Sequence, residues 1–125
     1  MTITAFNSPV QLGMFKRLFP NAPLASWNDL EQRLGSNGGW IVRMPGAAAV
    51  TTIEGRGLYV QFGAGMEKYS PQFVQTLQQL ARSQKLNSVV WTTAIGDIAH
   101  ARQAAATGAA AVGHNATDIF WKLGV

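Results

Sequence analysis

Residues 58–92 read LYVQFGAGMEKYSPQFVQTLQQLARSQKLNSVVWT. Leu58 to Phe62 is a short strand. Gly63-Ala64-Gly65-Met66-Glu67-Lys68-Tyr69 is a glycine-containing loop. Ser70-Pro71 opens a helix, because Ser is a good N-cap and Pro suits the first helical position. Phe73, Val74, Leu77, Leu80 and Ala81 then recur at helical spacing and predict an amphipathic helix to about Lys85. Asn87 leads into Ser88-Val89-Val90-Trp91-Thr92, an apolar run suited to a buried strand. The unit is strand, loop, helix, strand.

Upstream, Trp40 to Met44 and Ala47 to Glu54 are two further strands. They are closed by Pro45-Gly46 and by Gly55-Arg56-Gly57, and links this short imply an antiparallel meander. Val50, Thr51, Thr52 and Ile53 supply the β-branched residues that strands favour. Two helices are expected before them, one from Ser8-Pro9 that stops before Pro20, and one capped by Ser26 that ends at Gly35. Met1 to Phe6 is a first strand. Downstream, Gly96-Asp97 starts an Ala-rich helix from Ile98 to Thr107, with Asp97 as cap and Gly108 as stop. Ala109 to Gly113 and Ile119 to Leu123 are the last strands, with His114-Asn115 in the turn between them. The order is βααβββαβαββ, one mixed α/β (α+β) domain over residues 1–125. It implies a mostly antiparallel sheet of about six to seven strands flanked by four helices.

The chain has 125 residues, 47% hydrophobic and 13% charged, so it has the means to bury a core and is not disordered. There is no cysteine, which excludes disulfides, thiolate metal sites and a Cys nucleophile. Two histidines and scattered carboxylates show no metal-ligand spacing. The N-terminus has no signal-peptide pattern, and no apolar stretch is long enough to span a bilayer, so a soluble cytoplasmic protein is expected. The net charge is +4, but the ten Lys and Arg are spread along the chain rather than clustered, which argues against nucleic acid as partner. The low charge content suggests surface that a partner covers, and a homodimer is one form of that.

The order of elements resembles that of the GNAT acetyltransferase superfamily over essentially the whole chain. The resemblance implies that the strand Leu58 to Phe62 splays from the strand Ser88 to Thr92. It implies acetyl-CoA in the opening, with its pyrophosphate at the N-terminus of the helix from Ser70. A helix N-terminus presents N–H groups without intrahelical partners and about half a positive charge, which suits a phosphate. On this reading Val60, Gln61, Phe62, Gly63, Gly65, Lys68 and Ser70 bind the cofactor. The loop departs from the superfamily signature Gln/Arg-x-x-Gly-x-Gly/Ala by keeping two glycines in another frame, and Glu67 adds a negative charge. The Tyr usual in the last helix, which protonates the leaving thiolate, has no counterpart in Gln103 to Ala106.

The C-terminal half resembles the small GNAT-like proteins of short-tailed bacteriophages. Val90-Trp91, Ala99-His100-Ala101-Arg102 and Thr107-Gly108-Ala109 carry that likeness. It implies a phage or host protein as partner, in virion assembly or in modulation of a host protein, as the alternative to an acyl-CoA and an amine acceptor.

N-acyl transfer needs a group to take a proton from the amine and donors for the oxyanion. Glu54 is the candidate base, if the turn at Gly55 brings it to the cleft. Tyr59 is a candidate acid on the cleft strand, and His100 a candidate acid or base on the last helix. Each also has a plain structural reading: a solvated strand end, a core aromatic and a helix-surface histidine. Trp121, near the C-terminus, is the tryptophan expected to be exposed.

Overall fold

The computed structural model describes residues 2–6, 16–17, 20, 27–28, 32, 39–65, 68 and 70–125. Its strands are β1 (Thr2–Phe6), β2 (Gly39–Met44), β3 (Ala47–Glu54), β4 (Gly57–Ala64), β5 (Ser88–Ala94), β6 (Ala110–His114) and β7 (Asp118–Gly124). Two helices interleave with them, α1 (Pro71–Ser83) and α2 (Ile98–Ala106). The two helices expected between β1 and β2 lie outside the described residues, apart from Lys16, Arg17, Trp27, Asn28 and Gln32, whose backbone is helical.

The strands form one seven-stranded sheet in the order β1-β2-β3-β4-β5-β7-β6. The tight turns Pro45-Gly46 and Gly55-Arg56 make β2, β3 and β4 the expected antiparallel meander. The helical crossover through α1 makes β4 and β5 parallel neighbours, the single parallel pair among these strands.

Local chemistry accounts for the helix ends. Ser70 caps α1, its Oγ accepting from Phe73 N–H at 3.2 Å, with Pro71 next in the first turn. The helix stops at Ser83, slightly short of the expected Lys85. Leu86 N–H donates back to Ala81 O at 2.9 Å while Lys85 takes a left-handed φ of 59°. That is a glycine-type stop made by a lysine. Asp97 caps α2 as expected, and Gly108 follows its end at φ 93°.

Packing follows the periodicities. The α1 stripe Phe73, Val74, Leu77, Leu80 and Ala81 is buried in one cluster with Leu58 of β4, Val89 and Trp91 of β5, and Trp121 and Leu123 of β7. Each large side chain there contributes roughly 1.5–3 kcal/mol of transfer free energy. Trp121 is therefore core, only 8% exposed, against the expectation of an exposed residue. Its register partner is Trp91, and its indole N–H donates to Thr93 Oγ1 at 2.9 Å, so the polar edge of the ring is satisfied indoors.

Candidate active site

The parallel pairing of β4 with β5 covers only Gly57 with Ser88, Leu58 with Val89, and Tyr59 with Val90. Just before it, Asn87 N–H donates to Arg56 O at 2.8 Å, which pins the closed end. Beyond Tyr59 and Val90 both strands continue, to Ala64 and Ala94, without a ladder between them. The sheet thus contains a wedge-shaped opening in its interior.

A local cause is visible in β4. On the side facing β3, Thr51 pairs with Val60 and Val50 with Phe62, so Gln61 is the additional residue of a β-bulge. A bulge bends its strand and increases the twist. It falls immediately after the last residue paired to β5 and turns β4 away from it. From Val60 onward, the β4 backbone groups on this side take no ladder bond from β5, which is the arrangement an oxyanion or an extended ligand chain requires.

The N-terminus of α1 is reached from the open end of the wedge through Gly65, Lys68 and Ser70. Lys68 is half-buried and runs beside Gly63, its Cδ 3.6 Å from the position a Gly63 Cβ would occupy. Gly65 has φ 94°, and a Cβ on it would stand 2.1 Å from Gly46 O. The close approach that this glycine permits is therefore to the β2–β3 turn. Its packing explains its identity without a ligand.

At the start of α2, Asp97 Oδ1 accepts from His100 N–H at 3.2 Å, and its Oδ2 contacts His100 Nδ1. The imidazole on Asp97, first, then the His100 backbone N–H and the charge of Lys68 hold the Asp97 carboxyl below the usual carboxylate range. One carboxylate engages both the backbone and the ring of His100. Lys68, from the β4–α1 loop, and Asp97, from the β5–α2 turn, thus lie within electrostatic reach of each other.

The other two candidates lie elsewhere. Glu54 and Tyr59 share a cavity of about 340 Å³ with Gly57, Val90, Val112 and Phe120. Leu58 and Val89 face the helices. Tyr59 and Val90, their neighbours in strand, therefore face the other side of the sheet. The structure brings Glu54 and Tyr59 together and leaves His100 out of their cavity. His114 is exposed at the end of β6. Sequence reasoning missed Val90, Val112 and Phe120 as cavity residues and saw Asp97 only as a cap. Val112 is the bulge residue of β6, between Ala111 paired to Trp121 and Gly113 paired to Phe120, and no local pattern announces it. Among the described residues no group of His, Asp and Glu could hold a metal ion, and no helix is long and apolar enough to cross a membrane.

No protein-family model matches the sequence, and no curated protein is significantly similar to it. Solved structures do match. The ribosomal-protein-S18-alanine N-acetyltransferase of Escherichia coli superposes with a TM-score of 0.66 at 12% identity, over 99% of this chain and 93% of that one. A GNAT family acetyltransferase of Listeria monocytogenes gives 0.58 at 9% identity, over 99% and 94%. A Bacillus subtilis acetyltransferase in complex with CoA gives 0.61 at 10% identity, over 98% and 97%. With the interior wedge, the helix capped at its open end and these superpositions, the chain has the fold of the GNAT acetyltransferases.

Proposed function

We propose that the protein is an N-acyltransferase that uses acetyl-CoA and an amine acceptor. The observation that carries this reading is the end of β4–β5 pairing at Tyr59 and Val90. It leaves a gap through the sheet, with the capped start of α1 on one side and the Glu54–Tyr59 cavity on the other. A CoA-bound structure of the same fold supports the choice of acyl donor.

Acetyl-CoA supplies an activated thioester. The residues of this chain do the rest. The α1 N-terminus and Lys68 offer positive potential to a pyrophosphate. The backbone of Val60, Gln61 and Phe62 borders the thioester and offers N–H groups to the carbonyl oxygen. Glu54 takes a proton from the acceptor ammonium. The amine nitrogen then forms the C–N bond, the C–S bond breaks with its electron pair going to sulfur, and the nitrogen loses its second proton. In this reading Tyr59 returns a proton to the thiolate, and one proton is released overall. His100, held by Asp97, lies on α2 outside that cavity and takes no step in this reading.

Thermal unfolding with acetyl-CoA tests the reading. Acetyl-CoA at 100 times its Kd should add about 2.7 kcal/mol to stability. An unchanged Tm at millimolar acetyl-CoA would reject it. The second reading, a non-catalytic GNAT-fold protein acting on a phage or host protein, has one observation in its favour: all five residues of edge strand β6 are exposed, Val112 among them at 59%, and Ile95 beside them is 51% exposed. Uncharged exposed edges invite pairing. Under that reading acetyl-CoA leaves Tm unchanged and a purified partner shifts it.

A further inference from the structure

Resting on the transferase reading, we infer that the Glu54–Tyr59 cavity takes its acceptor as a small primary amine with one positive charge and an apolar body, of the arylalkylamine kind. The chemistry of the walls selects this class. Glu54 is the one carboxylate among the described lining residues, and a carboxylate has acceptor positions enough for an ammonium alongside another donor. The other side chains, Tyr59, Val90, Val112 and Phe120, are aromatic or aliphatic. Two of them can offer a ring face to a cation or an edge to another ring.

The floor is open because Gly57 stands opposite Glu54 in the β3–β4 register. A Cβ there would come within 3.1 Å of Ser88 Oγ and 3.4 Å of Val90 Cγ2, so any larger residue would crowd this end of the cavity. A second positive charge on the ligand finds no second carboxylate among the described lining residues. It meets instead Lys122, the exposed register partner of Val90, which shares its face of the sheet. A polyamine is thereby disfavoured. The volume, about 340 Å³, corresponds to roughly ten water molecules, enough for an amine with a single ring. Position supports the assignment, because Tyr59 and Val90 are both cavity walls and the last paired residues before the wedge.

The test compares 2-phenylethylamine with spermidine as acceptors, following release of the CoA thiol from acetyl-CoA, with 2-phenylethylamine binding followed separately by calorimetry without acetyl-CoA. The expected result is a kcat/KM at least tenfold higher for 2-phenylethylamine. Val112→Trp, a change at an exposed position that narrows the cavity, should lower that value at least tenfold and leave the acetyl-CoA thermal shift in place. Glu54→Gln should lower it as well and abolish the preference for a charged amine. Equal or better turnover of spermidine, or full turnover of 2-phenylethylamine by Val112→Trp, overturns the inference while the transferase reading stands. No acetyl-CoA shift and no thiol release, with 2-phenylethylamine binding that Val112→Trp removes, overturns the transferase reading and keeps the ligand class. Neither a shift nor binding overturns both.

Discussion

The two sides of the wedge are built differently. On one side, the interior of β2 and β3 is covered on both faces: Ile41, Val42, Ala49, Val50, Thr51 and Thr52 are each 2% exposed or less. Adjacent residues of a strand point to opposite faces, so such runs exist only where both faces are packed. The Thr51 hydroxyl is satisfied internally by donating to Trp40 O at 2.9 Å. On the other side, β5 and β7 bury mainly the face that meets the helices, through Val89, Trp91, Trp121 and Leu123, and β6 buries nothing. One wall is therefore fixed by a core on each side, and the other by a core on one side only. The stiff wall holds β4, whose backbone lines the wedge. The thin wall supplies the half-buried Phe120 and the exposed Val112, and Val112 is replaced at little expense to folding.

That contrast can be broken at three points. The largest effect is expected from Gly65→Val, where the stiff wall meets the loop before α1. The added side chain must adopt a left-handed φ and displace the Gly46 carbonyl, and the loss should be about 2–4 kcal/mol in a urea unfolding curve. A variant as stable as the parent would show that the contact with the β2–β3 turn is unimportant.

A matched pair comes next. Val50→Ala in the stiff wall should destabilise by about 2 kcal/mol, and Val112→Ala in the thin wall by less than about 0.5 kcal/mol. The same chemical deletion is made in both, so equal losses would erase the distinction between the walls.

The smallest effect concerns the start of α2. The Asp97 carboxyl titrates below its ordinary value in the folded chain, chiefly through the His100 side chain. Its contribution is therefore present above the unfolded carboxylate value of about 3.9 and is lost as pH falls through the lower folded value. Asp97→Asn keeps a capping oxygen and loses the charge. The difference in Tm between parent and variant should be full at pH 6 and should shrink as pH falls below about 3.9 and through the lower folded value. A difference that stays the same however far the pH is lowered would remove the charge of Asp97 from the account.

The local events were legible before the structure. Ser70-Pro71 and Asp97 cap the helices they were expected to cap, because capping joins a side chain to an amide three residues away. The meander was legible because turns of two residues leave the chain no other route. The positions of Glu54 and Tyr59 in one cavity were only partly legible. The register that aligns β3 with β4 sets them on one face, but the residues that complete the cavity come from β5, β6 and β7, more than thirty positions later in the case of Val90 against Glu54.

Taken alone, then, the sequence determined the kinds of elements, their order and the helix starts, since each depends on side chains and backbone groups within a turn or two of one another. Tertiary structure decided where β4 parts from β5, that Trp121 is enclosed, that Gly65 answers to Gly46, and that His100 stands apart from Glu54 and Tyr59. Those outcomes depend on which strands become neighbours and in what register. Such pairing is a property of the whole sheet, and no short window of residues encodes it.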